Sequence, residues 1–468
     1  MNKFVVLLLL VLLSGCFKIG PDYIKTKIDT PKQWRFAHNS SSKFIPNMFW
    51  WNQFTDPVLD QLINEAVLNN LDLKIAYANI EQFMGQYGST RANLFPQISA
   101  MGDYAHTQSS NYAVGPYING MQRPELDAAK LGVAMNWELD IWGKLRRANE
   151  AARADLLSQE AIKNAVIMTL ISDVAQTYIR LRELDKNLEI TQSVVNSLTE
   201  ELRIAKSRFD EGYSSELEVE QVDSEYQRRS AFIPMYEQQI AITENALNVL
   251  LSRNPMPINR GLSLEQLSLP AIPTGLPADL LQQRPDIQQA EQQLIAANAR
   301  IGVATAQYFP QISLTGDLGQ MSTQVATLFV PGANFWSVGS SLVTPIFTAG
   351  KIAGQVKSAE SIQEAALANY KRAIISGFRE FENALISNNK YKIQKEIQYK
   401  RVRAVQNYFN LSRIRYEEGY TDYITVLDSI RQLFDAQIEL ISAQSITLAS
   451  SVNLYRAMGG GWLIQKEK

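Results

Sequence analysis

The stretch NLFPQIS at Asn93–Ser99 decides the fold, because a close copy of it, QYFPQIS, stands at Gln307–Ser313. Two further pairs of segments recur in the same order: IWGK at Ile141–Lys144 with FTAGK at Phe347–Lys351, and RFDEGY at Arg208–Tyr213 with RYEEGY at Arg415–Tyr420. The copies lie about 210 residues apart, a period far longer than that of a solenoid repeat. The sequence therefore predicts an internal duplication with two structural halves.

Each copy of the motif is predicted to end a helix. A helix is predicted over roughly 56–94 and its counterpart over roughly 285–308, because apolar residues such as Leu59 and Ile63 recur at helical spacing. The proline in each motif disfavours helical backbone at the residue before it. The leading helix of each half is therefore expected to stop at the motif.

A pair of strands is predicted after each motif, because apolar and polar residues alternate there with a period of two. In the first half the strands cover 97–107 and 130–140, and in the second they include 312–318 and 336–342. Strands of about ten residues with this alternation are typical of a transmembrane β-barrel, although a soluble half-buried sheet gives the same pattern. The segments between the paired strands, 109–123 and 320–333, are rich in Gly, Pro, Asn, Ser and Thr and are predicted to be outer-surface loops.

Two very long helices follow the strand pairs. No Pro or Gly interrupts 144–210, and 351–417 contains no Pro and only Gly354 and Gly377. Each helix is predicted to be about 100 Å long, several times the usual helix length. A helix of this length does not fit into a compact globule, so it is predicted to lie in a coiled coil or in a long helical wall.

Tight turns at Gly212 and Gly419 are predicted to reverse the chain after the long helices. Helices then return over 216–251 and 422–458, and Pro234 is expected to bend the first of them. A returning helix and a leading helix together are about as long as one long helix. Each long helix is therefore expected to lie beside two shorter ones stacked end to end.

The N-terminus has the features of a bacterial lipoprotein signal. Lys3 precedes an apolar run at Phe4–Leu13, which is too short to span a bilayer as a helix and fits a signal peptide. The tetrapeptide Leu13–Cys16 (LSGC) resembles a lipobox, which implies cleavage before Cys16 and acylation of that residue. Phe17, rather than Asp, at the second mature position indicates sorting to the outer membrane. The alternative is that Cys16 is an incidental residue in an ordinary cleaved signal.

The composition argues against several other classes of protein. The formal net charge of −2 does not favour nucleic acid binding. Two histidines, His38 and His106, and a single cysteine leave too few ligands for a zinc site. Neither histidine has a candidate nucleophile at a spacing typical of a catalytic motif. The Gly459–Gly461 segment lacks the flanking strand and helix of a phosphate-binding loop. The chain is predicted not to be an enzyme and to need no cofactor or metal beyond a covalent lipid on Cys16.

The predicted fold class is mainly α with a transmembrane β-barrel, in six segments. These are a signal peptide (1–15), a lipid-anchored N-terminal segment (16–55), a first repeat (56–252), a Pro-rich linker or equatorial region (253–278), a second repeat (279–458) and a C-terminal tail (459–468).

Four strands per chain predict an oligomer. No run after the signal has the length of a transmembrane helix, so a membrane crossing has to use strands, and open strand edges are not tolerated in lipid. Two copies would give eight strands, whose interior is filled by side chains, whereas three would give twelve strands and leave a lumen. A cyclic homotrimer is the smallest assembly that makes a pore.

The chain resembles the TolC-like outer membrane factors, and specifically the lipoprotein (NodT-type) branch of multidrug efflux channels. Besides the two motifs above, the resemblance rests on Trp50–Trp51, Phe54–Pro57, Leu280–Ile287 (LLQQRPDI), Ala290–Glu291 and Tyr455–Trp462. It covers nearly the whole mature chain, and the Arg-Pro-Asp-Ile segment is its most specific part.

The resemblance implies a trimer with a twelve-stranded barrel in the outer membrane and a long α-helical barrel in the periplasm. It implies a passive exit duct for drugs or other small molecules, loaded by an inner-membrane pump, expected to be of the RND type, through a periplasmic adaptor. The alternatives are a duct for type I protein secretion and a lipid-tethered periplasmic coiled-coil scaffold. The lipobox and the Arg-Pro-Asp segment favour efflux over secretion, and the strand pairs disfavour the scaffold.

The resemblance also implies a pore constriction just after the second turn. Its carboxylate falls on Asp428, with Ile424 and Thr425 beside it, and trimer symmetry would make a ring of three carboxylates. The alternative is that Asp428 is a solvated residue on a helix face. Tyr416 and Glu218 match positions that link neighbouring helices near the closed tip.

Thr421 stands where some family members have a basic residue. The Gly212 and Gly419 turns are expected at the periplasmic tip, where they would receive the adaptor. The alternative is that these glycines only supply the positive φ that a helix C-cap needs.

Overall fold

A computed structural model describes residues 18–26, 29–31, 34–36, 49–108, 125–268 and 283–461. Cys16, His38 and the whole of the predicted loop 109–123 lie outside these ranges. The chain forms two compact units, and each takes segments from both halves of the sequence. The first, the sheet unit, lies within Met1–Lys27, Ile80–Gln159 and Ala290–Tyr370; the second, the helical unit, lies within Ile28–Asn79, Glu160–Gln289 and Lys371–Lys468.

The described residues form helices and strands that repeat in the two halves. The first half has α1 (Pro57–Asn69), α2 (Leu71–Ala92), β1 (Gln97–Gln108), β2 (Glu125–Leu139), α3 (Lys144–Asp210), α4 (Glu216–Ser230) and α5 (Phe232–Leu250). The second half has α6 (Pro285–Ala306), β3 (Gln311–Ser322), β4 (Asn334–Val343), α7 (Lys351–Glu417) and α8 (Tyr423–Ala457). Short 3₁₀ helices occupy Trp50–Phe54 and Val325–Thr327. The long helices α3 and α7 each have 67 residues and the predicted bounds.

The predicted leading helix of the first half is divided at Asn70. The backbone of Asn70 is extended there (φ −55°, ψ 130°). Its Oδ1 accepts a hydrogen bond from the Leu73 amide at 3.0 Å, which caps α2, and its Nδ2 donates to the Leu250 carbonyl at 2.9 Å. Asparagine competes well with helical backbone bonds at such a position, which explains two helices where the periodicity predicts one.

The returning helix of the first half is interrupted at Ala231, between α4 and α5. Pro234 follows three residues later, as the predicted bend requires. Proline lacks an amide hydrogen, and its ring clashes with the carbonyl four residues earlier, here that of Ser230. The returning helix of the second half, α8, has no proline and is continuous over 35 residues.

The four described strands form one antiparallel sheet in the order β1-β2-β3-β4. Ala100, Val133, Leu318 and Trp336 lie opposite one another across it, so they share one face. This face is apolar and exposed: Val133, Leu318 and Trp336 are 43%, 61% and 76% accessible. Lys130 and Asp317 approach to 3.8 Å on the other face. Within the sheet, β1 and β4 each have one neighbouring strand and therefore one open edge.

The two copies of the FPQIS motif join the strands to the helices of the sheet unit. Trp142, between β2 and α3, donates from Nε1 to the Pro310 carbonyl at 2.8 Å, and its ring centroid lies 5.1 Å from that of Phe309. Trp137 donates to the Leu94 carbonyl at 3.1 Å. The motif of the second half thus packs against the strand-to-helix junction of the first.

The N-terminal residues of the sheet unit are held by Arg147, which is 1% exposed. Its Nε and Nη2 donate to the Ile19 and Gly20 carbonyls at 3.1 and 2.9 Å, and Nη1 donates to Glu150 at 3.0 Å. Gly20 and Gly302 meet so closely that a Cβ on Gly302 would lie 2.6 Å from the Ile19 carbonyl oxygen. Glycine is therefore required at this crossing.

The Arg-Pro-Asp segment has a structural role in the helical unit. Arg284 is 4% exposed, and its Nη2 lies 2.7 Å from Asp286 and 2.6 Å from Glu380. Its Nη1 donates to the Ala457 carbonyl at 3.0 Å, so the side chain joins the beginning of α6 to α7 and to the end of α8. No helix in the described ranges has an apolar stretch long enough to cross a bilayer.

Candidate functional site

The two chain reversals at Gly212 and Gly419 have the same backbone geometry. Their φ angles are +75° and +79°. The amide after each glycine bonds to a carbonyl five residues back: Tyr213 to Arg208 and Tyr420 to Arg415, both at 2.8 Å. This is the Schellman ending of a helix, which requires a left-handed residue and favours glycine. No atom of the described residues lies within 4 Å of a Cβ built on either glycine, so both turns are also sterically open.

A small apolar core lies beneath these turns in the helical unit. Its buried residues are Ala205 of α3, Val219 and Val222 of α4, and Tyr423, Val426 and Leu427 of α8. Phe409 and Tyr416 of α7 pack against it. Four helices from both halves therefore meet here.

The structure brings the two predicted tip contacts, Tyr416 and Glu218, together. Tyr416 donates from Oη to Oε1 of Glu218 and accepts from Nη1 of Arg208 at 3.0 Å. Burial and the hydrogen bond to Glu218 raise the pKa of Tyr416 to about 12. The ring also packs edge-on against Tyr423, with centroids 5.2 Å apart. The hydroxyl is thus neutral at physiological pH and able to donate.

Arg208 and Thr421 have contacts that the sequence did not predict. Arg208 of α3 contacts Tyr416 of α7, since its guanidinium bonds to the Tyr416 hydroxyl and lies 5.6 Å from the centre of the ring. Its place in the repeated RFDEGY segment is the signal that could have indicated a role. Thr421 donates to the Thr425 hydroxyl at 3.0 Å, one helical turn away, and makes no contact with Tyr416 or Glu218 in the bonds seen among the described residues.

The three predicted constriction residues lie on one side of the first turns of α8. Ile424 is 45% exposed, Asp428 is exposed and Thr425 is partly exposed. Residues four apart are neighbours on a helix surface, so Ile424 and Asp428 share a face. Asp428 accepts hydrogen bonds from Tyr408 Oη at 3.2 Å and from Gln432 Nε2 at 2.7 Å. No ion pair to Asp428 occurs within the part of the chain that the structure describes.

A buried ion cluster that the sequence patterns did not predict joins α4 to α8. Glu225 and Arg229 are 0% and 1% exposed. Glu225 accepts from Nε of Arg229 and from Nε of Arg431, both at 2.6 Å, and Arg229 also reaches Asp435 at 3.3 Å. Burial opposes ionisation of Glu225, but the hydrogen bonds from Arg431 and Arg229 outweigh it and lower its pKa. Glu225 and Arg229 are four residues apart on one helix, and this spacing is the sequence feature that could have predicted their ion pair.

Large apolar side chains are exposed around the two turns. Phe209, Tyr213 and Leu217 are 42%, 74% and 66% accessible at the first, and Tyr420 is 73% accessible at the second. Exposed apolar groups gathered at one place are typical of a contact surface for another protein. Within the described ranges, no three His, Cys, Asp or Glu side chains are grouped to hold a metal ion.

The fold and the arrangement of these residues define the class of protein as a channel subunit, and comparison with known proteins gives the family. The chain belongs to the outer membrane efflux protein family, whose sequence model matches residues 62–253 and 276–460. It is 35% identical over 466 residues to the solvent efflux pump outer membrane protein SrpC of Pseudomonas putida, covering 98% of both chains.

A second relative is described as a lipoprotein. The chain is 30% identical over 456 residues to the probable outer membrane lipoprotein SilC of Salmonella typhimurium, covering 97% of both. Among solved structures, it matches the outer-membrane channel OprN with a TM-score of 0.89 and 27% identity, over 95% of this chain and 99% of that one. These findings confirm the predicted family, fold class, outer-membrane location and role in efflux.

Proposed function

We propose that three copies of this chain form the outer-membrane exit duct of a tripartite efflux system. The observation that carries this proposal is the four-stranded sheet with an exposed apolar face and two open edges. Pairing β1 of one copy with β4 of the next removes the open edges that lipid does not tolerate. Three copies give twelve strands, which leave a lumen. Each chain contributes both its repeats, 56–252 and 279–458, to this ring.

The long helices support the same assembly. Ile375, Ile393, Ile397 and Leu411 of α7 are between 54% and 66% exposed in the isolated chain. They lie along one stripe of the helix, since multiples of about 3.6 residues separate them. An apolar stripe of this kind is expected to be covered by a neighbouring helix, and a second copy of the chain supplies one.

Mass spectrometry of the detergent-purified protein in its native state, with single-channel recording in planar bilayers, tests the proposal. The expected result is a mass of three lipidated chains and discrete conductance steps. A monomer or dimer that conducts no ions contradicts it. A trimer without conductance contradicts the duct but leaves the assembly intact.

The partners in this proposal are a periplasmic adaptor and an inner-membrane pump, expected to be of the RND type. Efflux pump relatives such as SrpC support this role, and solvents or drugs are the proposed cargo. The duct is passive, so no enzymatic step and no nucleic acid are part of the proposed function. A strain without the gene should gain susceptibility to such compounds, and the adaptor should co-purify with the channel.

The adaptor is proposed to dock on the Gly212 and Gly419 turns, whose surroundings are open and apolar. Gly419→Trp should abolish efflux while the assembly and its outer-membrane location stay intact. Gly419→Asn is the matched control, because asparagine tolerates the left-handed backbone of this turn. Gly419→Asn should therefore keep efflux. Equal loss of efflux in Gly419→Trp and in Gly419→Ala, which disfavours the left-handed backbone without adding bulk, would show that only the backbone conformation matters.

A covalent lipid on Cys16 is proposed to anchor the mature chain in the outer membrane. The LSGC segment and the likeness to SilC, a probable outer membrane lipoprotein, support it. Cells grown with radiolabelled palmitate should label the wild-type chain and leave Cys16→Ser unlabelled. Equal labelling of both would place the lipid elsewhere.

The constriction is proposed to consist of Ile424, Thr425 and Asp428 from three copies. The exposure of these residues on one side of α8 supports this assignment. The bonds of Tyr416 to Glu218 and Arg208 are proposed to keep the helices at the turns together in the closed state. Thr421, whose hydroxyl bonds to Thr425, contributes to the order of the first turn of α8.

A further inference from the structure

A cavity of about 310 Å³, lined by more apolar than polar residues, lies between α3, α7 and α8 in the helical unit. Its walls include Leu198 of α3, Phe409 of α7, and Ile430, Leu433 and Phe434 of α8. A volume of roughly 300 Å³ with mostly apolar walls is at the lower end of the range for small-molecule sites. Glu201 of α3 also lines the cavity, and the other polar residues in its walls are Glu189, Ser193, Ser197 and Gln437.

The Glu201 carboxylate has no hydrogen bond and no ion pair to any residue in the described ranges. Its neighbours differ in this respect: Glu200 is bonded to Arg203 at 2.6 Å, and Glu189 is bonded to Lys186 at 2.9 Å. Arg413 is the cation that attracts the Glu201 carboxylate, but its Nε donates a hydrogen bond to Glu417 at 2.9 Å. Burial raises the pKa of Glu201, and the attraction of Arg413 only partly offsets it. The side chain is therefore a half-buried anion beside aromatic rings, without a partner.

We propose that this cavity binds a small amphipathic cation, namely an aromatic or alkyl primary amine whose ammonium group pairs with Glu201. The apolar part of such a molecule would contact Leu198, Leu433 and the rings of Phe409 and Phe434. An ammonium group can donate to the carboxylate and also interact with an aromatic face. An anion would be repelled by Glu201, and a neutral molecule would leave it unpaired.

The cavity lies on the side of α8 away from the constriction residues. At about 100° per residue, Ile430 and Leu433 stand about 200° and 140° around the helix from Asp428. A bound amine would therefore leave Asp428 and Ile424 uncovered. It would instead contact Phe434, whose ring lies 4.1 Å from the Arg229 guanidinium in the buried ion cluster. The site belongs to the wall of the bundle, and its existence does not rest on the proposed channel function.

Isothermal titration calorimetry of the purified full-length protein with 2-phenylethylamine tests the site. We expect saturable binding with one amine per chain, and markedly weaker binding of the neutral analogue 2-phenylethanol. Glu201→Gln should weaken amine binding about tenfold or more, as expected for the loss of a charge-assisted hydrogen bond. Ser197→Trp, which fills the cavity from its exposed edge, should abolish binding.

Glu200→Gln is the matched control, because it removes the adjacent carboxylate, which is already paired with Arg203 outside the cavity. It should bind the amine like the wild type. Single-channel conductance of Glu201→Gln, measured in parallel, separates loss of the site from loss of the channel. The proposal is overturned if no saturable binding occurs, if 2-phenylethanol binds as tightly as the amine, or if Glu201→Gln and Glu200→Gln behave alike.

Discussion

Arg229 donates from Nε to Oε1 of Glu225 at 2.6 Å, and both side chains are almost completely excluded from solvent. Arg431 of α8 holds the other carboxylate oxygen at the same distance. Glu225 of α4 thus binds Arg229 on its own helix and Arg431 on α8, the returning helix of the second half. Removing one partner of such a group leaves a buried charge without compensation, which costs far more than the pair contributes over an apolar alternative.

Glu225→Ala should lower the free energy of unfolding by about 3–5 kcal/mol, the range for breaking a buried ion pair. The measurement is denaturant unfolding in detergent, followed by the helical circular dichroism signal. Glu220→Ala is the control, because Glu220 lies exposed on the same helix. A surface change of that kind is expected to stay within about 0.5 kcal/mol. Equal effects of the two substitutions would rule out a stabilising role for the cluster.

The same carboxylate should make stability depend on acid pH. The folded-state pKa of Glu225 is lowered. Burial by itself would raise this pKa, but the hydrogen bonds from Arg431 and Arg229 lower it by more. The contribution is therefore complete above the unfolded-state pKa of about 4.3 and is lost as pH falls through the lower folded-state pKa. Unfolding midpoints at pH 6, 4 and 3 should decline more for the wild type than for Glu225→Gln. Parallel pH profiles for both proteins would contradict this assignment.

Tyr416→Phe should favour the open channel, because it removes the hydroxyl that bonds to Glu218 and Arg208. A net loss of about 1 kcal/mol from the closed state is expected for these bonds. Single-channel recording should show longer or larger openings than in the wild type. Tyr420→Phe, at the exposed second turn, should behave like the wild type. A Tyr416→Phe channel with unchanged openings would remove this contact from the gate.

Asp428→Asn should reduce the preference of the pore for cations, since each trimer would lose the three carboxylates of the proposed constriction. We expect the cation-to-anion permeability ratio, from reversal potentials in a salt gradient, to fall by about a factor of two or more. Glu418→Gln removes another exposed carboxylate, from the nearby turn, and serves as the control. If both substitutions leave the ratio and block by divalent cations unchanged, Asp428 is a solvated surface residue.

Gly302→Ala should destabilise the sheet unit, because the new Cβ would lie 2.6 Å from the Ile19 carbonyl oxygen and 2.8 Å from Arg147 Cγ. Crowding of this kind typically costs about 1–3 kcal/mol. Gly354→Ala is the control: Gly354 is also inside a helix, but a Cβ there would meet no atom of the described part of the chain within 4 Å. There alanine should stabilise the helix by up to about 1 kcal/mol. Thermal unfolding followed by circular dichroism should move in opposite directions for the two variants.

Local sequence patterns determined the elements of this protein and their repetition. The bounds of α3 and α7 follow from the absence of helix breakers over 144–210 and 351–417 and from the glycine turn that ends each of them. The strands β1 to β4 follow from the alternation after each FPQIS motif. The break at Asn70 does not follow from the periodicity, because Asn70 is held partly by the Leu250 carbonyl, which lies far away in the sequence.

Some features of the candidate site follow from local sequence patterns, and others depend on contacts between distant residues. The positions of Ile424, Thr425 and Asp428 on one helix face follow from helical spacing within a single segment. The bond between Tyr416 and Glu218 was expected only through a family likeness, and the contributions of Arg208 and Arg431 were not expected at all. These partners lie about two hundred residues apart in the chain, and periodicity describes only neighbours along one helix.

By itself, the sequence determined that the chain is duplicated and that it alternates long helices with strand pairs, and it predicted a lipoprotein signal before Cys16. Only the tertiary structure decided which charges pair, which glycines are required by close approach, and where an unpaired carboxylate faces a cavity. The physical reason is that secondary structure depends on nearest neighbours, whereas burial and ion pairing depend on how residues from both halves pack together.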